Sequence, residues 1–218
     1  MPPAVLTINS ANYGAWSLRG WLLCRFAGLD VEVEHVPGDD EDSRAELTML
    51  SPSFLVPRLD HDGARVWGVL AMAEYINEVC VGSPLLPEDR IARAHCRSVC
   101  SELVSGFTDL VTALPMNVRA RHTAFPLWKG ARADIDRITE IWTSCLETYG
   151  GPFLFGTSPT MADAIFAPEC TRLATYDVSV APECAGYIST VLGTAEMDEW
   201  VAMARDEPVE FDELEVEF

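Results

Sequence analysis

Up to the acidic C-terminal tail, every extended pattern in this chain lies before residue 68, and every clear pattern after it is helical. Ala4–Ile8 is a short apolar run that reads as a strand, and Ser10 to Gly14 is a loop signal. From Ser17 the spacing turns helical, with Leu18, Trp21, Leu22 and Leu29 on one face and Gly28 where a helix stop belongs. Val31 to Val36 alternates apolar and polar residues, the mark of a half-exposed strand. An acidic turn over Pro37–Asp42 and a short helical stretch through Leu50 follow. Ser51–Leu59 and Ala64–Trp67 then pair as a hairpin across Asp60-His61-Asp62-Gly63. Leu70–Val79 is helical, with Ala73 and Ile76 in step. The order βαβαββα predicts a small α/β sandwich.

Val81 to Pro87 carries two prolines and reads as a linker. Asp89–Ala113 reads as one long helix. Ile135, Ile138, Trp142, Cys145, Leu146 and Tyr149 form the apolar stripe of a second. Thr160–Tyr176 is a third, with Thr160 as N-cap and Asp163 at N3, a capping-box-like start. Two shorter helices run to about Arg205. The expected organisation is an α/β unit over 1–82, a linker at 83–87, an all-helical unit over 88–205, and an acidic tail at 206–218.

The net charge of −19 would repel nucleic acid and anionic membrane surfaces, so neither is expected as a partner. No apolar run approaches the ~20 residues of a membrane span. No cationic segment precedes an apolar run at the N-terminus, so no signal peptide is expected. The 7 Cys are scattered among apolar helical residues, as in a reduced cytoplasmic protein with free, buried thiols.

Four local patterns occur in a recognisable order. Asn12-Tyr13-Gly14-Ala15-Trp16-Ser17-Leu18-Arg19-Gly20-Trp21-Leu22-Leu23 resembles a bacterial "NYSSWSLRPWLL" motif. Ser51-Pro52 is followed by Val56-Pro57. Trp67-Gly68-Val69-Leu70-Ala71-Met72-Ala73-Glu74-Tyr75-Ile76 is the third, and Gly156-Thr157-Ser158-Pro159-Thr160-Met161-Ala162-Asp163-Ala164 the fourth. Together they resemble the glutathione transferase superfamily over roughly residues 4–205. The resemblance implies a thioredoxin-like N-terminal domain, an all-α C-terminal domain and a cytoplasmic homodimer. It also implies glutathione as co-substrate, joined to a hydrophobic electrophile.

The resemblance further implies a cis Val56–Pro57 bond that exposes the Val56 backbone to pair with the tripeptide. In the family a Glu/Asp-Ser pair before the third helix grips the γ-glutamyl group. Here that pair is Gly68-Val69, so only backbone donors remain. The family's catalytic hydroxyl or thiol, which favours the glutathione thiolate, falls on Ala15. Tyr13 and Ser17 are the expected substitutes, with Ser10 and Trp16 also in reach, and Trp16 is expected to help bind substrate. Two functions therefore stand side by side: a transferase with a degenerate glutathione site, or a non-catalytic binding protein on the same fold.

Other clusters have simpler explanations. Cys96 and Cys100, near His95, fit helix packing better than a metal site. Cys24 is expected in the core. Arg90, Arg93 and Arg97, with Arg119, Arg121 and Arg132 beyond, read as solvated cations paired with nearby acids, although a cleft arginine could hold an anion. The tail alternates acids with Val209, Phe211, Leu214, Val216 and Phe218, which fits packing along the protein or docking a partner.

Overall fold

The structure is a computed structural model that describes residues 4–35, 56–82, 85–123 and 125–207. The helical stretch expected before Leu50 and the residues Ser51–Leu55 lie outside the described residues, as does the tail beyond Glu207. Strand β1 (Ala4–Ile8) leads through a tight loop into helix α1 (Ala15–Phe26), then β2 (Val31–His35). Strands β3 (Arg58–His61) and β4 (Ala64–Trp67) form the hairpin, and α2 (Val69–Val79) follows. The sheet order is β2-β1-β3-β4, with β1 parallel to β2 and the other pairs antiparallel.

The hairpin turn is tighter than the sequence suggested. Asp62 and Gly63 alone make it, both at positive φ, and Asp60 and His61 remain in the ladder. Two residues with left-handed backbones match the natural twist of a hairpin. Helix α1 ends as expected at Gly28, whose N–H bonds to the Arg25 carbonyl while Leu29 reaches Cys24, the paired bonds of a Schellman stop.

The later described elements are all helices: α3 (Arg90–Ser105), α4 (Thr108–Ala113), α5 (Lys129–Tyr149), α6 (Met161–Thr175), α7 (Pro182–Leu192) and α8 (Ala195–Asp206). The long helix expected over Asp89–Ala113 is thus two. Gly106 is extended and Phe107 is left-handed, so the chain turns before α4 begins. Glycine inside a helix costs about 1 kcal/mol relative to alanine. Breaking there buries Leu110 completely and lets its N–H donate to Asp134 on α5.

Helix α6 is the centre of the helical half and is buried on nearly every side. The expected capping box is present: Asp163 accepts from the Thr160 N–H and hydroxyl at 2.7 and 2.9 Å, and Thr160 accepts from Ala162. Helix α1 is also buried along most of its length, because it packs on the sheet, on α2 and on α6. The residues just before α1 therefore sit where the two halves meet. The architecture is that of a thioredoxin-like α/β unit joined to an all-helical one.

Candidate functional site

The loop between β1 and α1 is built by side chains that bond their own backbone. Asn9 Oδ1 accepts the Ser10 N–H at 2.9 Å and the Ser17 hydroxyl at 2.5 Å. The Asn9 N–H returns to Ser17 Oγ at 3.2 Å. Ser10 Oγ accepts the N–H groups of Asn12 and Tyr13 at 3.1 and 3.0 Å. Short polar side chains favour such local bonds, which fix the turn in place of regular structure. The segment after α4 closes the other side: Val118 N–H donates to the Asn12 carbonyl, and Arg119 N–H to Asn12 Oδ1.

The C-terminal end of the described chain reaches the same loop. Glu207 Oε2 accepts from Ser10 Oγ at 3.1 Å and from the N–H groups of Ala11 and Asn12, each at 2.9 Å. The Arg119 guanidinium donates to the Glu207 backbone carbonyl at 3.1 Å and to the Tyr13 phenol oxygen at 3.4 Å. The tail thus begins by packing on the protein, and on the loop that the sequence marked as functional. Sequence reasoning placed Arg119 in a general basic set and gave Glu207 no role, because this contact joins residues 197 apart.

The expected catalytic residues meet different fates. Tyr13 is largely buried, with its hydroxyl beside Arg119. A guanidinium donating to a phenol oxygen polarises the O–H as a donor in turn. Ser17 is fully buried and its hydroxyl is held by Asn9 on both sides. In this structure it braces the loop. Ala15 opens α1, and Gly14 precedes it with no room for a side chain: a Cβ there would collide with the Ser10 carbonyl and Asn9 Oδ1. A serine at position 14, as in the motif this segment resembles, would require a different loop.

Val56 and Pro57 enter β3 through a cis bond, and the Pro57 ring lies against Gly20 of α1. Met72 of α2 reaches the same glycine, so α1, Pro57 and α2 share one junction. Gly68 caps α2 with φ +80°, and a Cβ there would meet no described residue. Val69 is 1% exposed and its side chain belongs to the core. Position 69 can therefore offer a ligand only its backbone. Among the described residues the α2 N-terminus has no side-chain cap, which leaves its first N–H groups to bind an anion. Replacing Gly68 by alanine is expected to cost about 1–2 kcal/mol from the left-handed backbone alone, as measured by urea unfolding.

Trp16 is half-buried, with the Arg19 guanidinium 4.5 Å from its ring centre. Arg19 is itself tied to the helical half. Its Nε donates to the Ile165 carbonyl and its Nη2 to Glu169 Oε1, each at 2.8 Å. Arg172 donates to the same Glu169 oxygen at 3.0 Å and to the Leu114 carbonyl at 2.9 Å. All three charged side chains are buried. Burial pushes the Arg172 guanidinium below its ordinary value, with Glu169 opposing. This triad ties α1 to α6.

The remaining candidates stand apart. Cys24 is fully buried, and burial pushes its thiol far up, away from reactive thiolate. Cys96 and Cys100 are buried too, and burial raises the Cys100 thiol well above its usual value. His95 bonds the Tyr149 hydroxyl at 2.9 Å. Among the described residues no group of His, Cys, Asp and Glu is arranged to hold a metal. Arg97 forms a two-pronged pair with Glu74 at 2.7 and 3.0 Å, holding Glu74 below its usual carboxylate range. Arg93 and Arg121 bond backbone carbonyls. No described helix is long and apolar enough to cross a membrane.

Residues 13–79 match the family model described as "Glutathione S-transferase, N-terminal domain". A probable maleylacetoacetate isomerase of Caenorhabditis elegans is 24% identical over 169 residues, covering 77% of this chain and 78% of the relative. A maleylacetoacetate isomerase of Rhizobium meliloti is 30% identical over 139 residues, covering 60% and 63%. Among solved structures, a Burkholderia glutathione transferase homologue with bound glutathione superposes with a TM-score of 0.68 at 23% identity, covering 94% of this chain and all of that one. A maleylacetoacetate isomerase of Anaeromyxobacter dehalogenans with bound glutathione gives 0.67 at 19% identity, covering 94% and 97%. Residues 13–79 thus resemble a glutathione S-transferase N-terminal domain, on a chain with the glutathione transferase fold.

Proposed function

We propose that the protein is a glutathione-dependent enzyme of the transferase type, with a glutathione site stripped of its usual polar side chains. The observation that carries this reading is the N-terminus of α2 at Gly68, uncapped by any described side chain, on the same framework as Pro57 and α1. Backbone N–H groups there would hold the γ-glutamyl carboxylate, and the Val56 backbone would pair with the cysteinyl unit as an added strand. Tyr13 would donate to the thiolate in place of the residue missing at Ala15, with Arg119 polarising its hydroxyl. Ser17 holds the loop that carries Tyr13. Trp16 would line the face met by a hydrophobic second substrate, and two copies would assemble as a homodimer. The relatives named maleylacetoacetate isomerase make glutathione-dependent cis–trans isomerisation of an acidic substrate the reaction to assay beside aryl transfer.

The test pairs glutathione binding by calorimetry with turnover of both substrate types. Tyr13→Phe is expected to lower kcat by about 10²-fold, the scale for losing one positioned donor, while leaving glutathione affinity within a few-fold. Turnover unchanged in Tyr13→Phe removes Tyr13 from the mechanism. The absence of any glutathione binding leaves the alternative, a non-catalytic binding protein on this fold.

A further inference from the structure

We propose that the Ser10–Tyr13 turn is a binding site for the carboxylate of a small organic acid, and that Glu207 of the chain's own C-terminal segment fills it in this structure. Three donors converge on a single oxygen, Glu207 Oε2: the Ser10 hydroxyl and the N–H groups of Ala11 and Asn12. Ser10, Ala11 and Asn12 are all at most 1% exposed. The Asn12 N–H also bonds Ser10 Oγ, but among the described residues the Ala11 N–H has only Glu207, and a buried N–H without an acceptor is costly, so this turn requires one. Anionic acceptors suit it best, because hydrogen bonds to charged groups are the stronger class.

The turn does not owe its shape to Glu207. Asn9 holds Ser10 and Ser17, Ser10 Oγ holds the amides of Asn12 and Tyr13, and residues 118 and 119 bond both oxygens of Asn12. Helix α8 ends at Asp206, so Glu207 lies one residue past it and is the part able to leave. Glu207 is also an incomplete occupant. Among the described residues it uses one carboxylate oxygen, and its contact with Arg119 runs through a neutral backbone carbonyl. Among the described residues the buried Asn12 Nδ2 in the same turn has no hydrogen-bond partner and could take a further acceptor.

Exchange is set by competition. A residue tethered near its site acts at an effective concentration on the order of millimolar, so removing it unmasks the intrinsic affinity for a free acid. The site needs no glutathione, and every arm of the test omits it, so the outcome is independent of the transferase reading. Succinate is titrated calorimetrically into the full chain and into Glu207→Ala, with the uncharged diamide as control. Glu207→Ala is expected to bind succinate at least about tenfold more tightly than the parent, and adding Ser10→Ala is expected to abolish that gain. Equal affinity in parent and Glu207→Ala, or equal binding of the diamide, overturns the proposal. In the unmodified protein, the carboxyl-carbon resonance of Glu207 should move toward its solvent value as succinate saturates. A resonance that stays fixed overturns it as well.

Discussion

Replacing Glu169 by leucine is expected to lower the stability of the protein by about 3–5 kcal/mol, the usual consequence of stranding a buried charge. The reason lies in the sign of what remains. Arg19 and Arg172 share one Glu169 oxygen, and all three side chains are nearly inaccessible to water. Without Glu169, two guanidinium groups face each other in the interior. Their bonds to the Ile165 and Leu114 carbonyls satisfy donors but cancel no charge. For a chain of this size the loss corresponds to a Tm drop on the order of 10 °C, read by calorimetry or far-ultraviolet dichroism. Changing all three residues to apolar ones of similar volume should recover most of it, since a packed apolar cluster often matches a buried ionic one. If the single variant loses less than about 1 kcal/mol, the triad is not the tie between α1 and α6.

That tie bears on function. Arg19 lies on α1 and stacks on Trp16, while Glu169 and Arg172 lie on α6. Loosening it should move the N-terminal turn of α1 and with it the loop just before, which carries Tyr13 and holds the Glu207 carboxylate. Stability and ligand binding should therefore fall together in Glu169→Leu.

What was legible in the sequence was local. The βαβ order, the Gly28 stop and the Thr160–Asp163 box each depend on residues a few positions apart, so spacing alone reveals them. The helix break at Gly106 was hidden because apolar residues continue on both sides of it. It is decided by where Leu110 and Asp134 meet, on a different helix. The site divided in the same way. Tyr13, Pro57 and Gly68 could be singled out from motif positions. The burial of Val69 and Ser17 could not, since both are helix residues whose facing depends on the packed neighbours. Arg19 and Glu169 are 150 residues apart in sequence, and neither residue alone suggests a buried ion pair.

Asp163 provides the second large effect. Its carboxylate accepts four hydrogen bonds within the core: from Thr160 twice, from the Leu154 N–H at 3.0 Å and from the Tyr187 hydroxyl at 3.2 Å. It therefore fixes three things at once, the first turn of α6, the loop before it and helix α7. Burial pushes the carboxyl above its ordinary range, while all four donors pull it back. Asp163→Ala leaves those donors without an acceptor, and buried unpaired groups cost about 1–3 kcal/mol each. Sharing among relaxed neighbours reduces the sum, so a loss of about 4 kcal/mol is expected in urea unfolding. Asparagine is not a mild replacement here. Its single oxygen can serve one donor pair, but its amide nitrogen must then face the other pair, donor against donor. Asp163→Asn should lose at least half as much as Asp163→Ala. A near-neutral Asp163→Asn would mean that two acceptor positions are enough, and that the cap and the loop do not both depend on this one side chain.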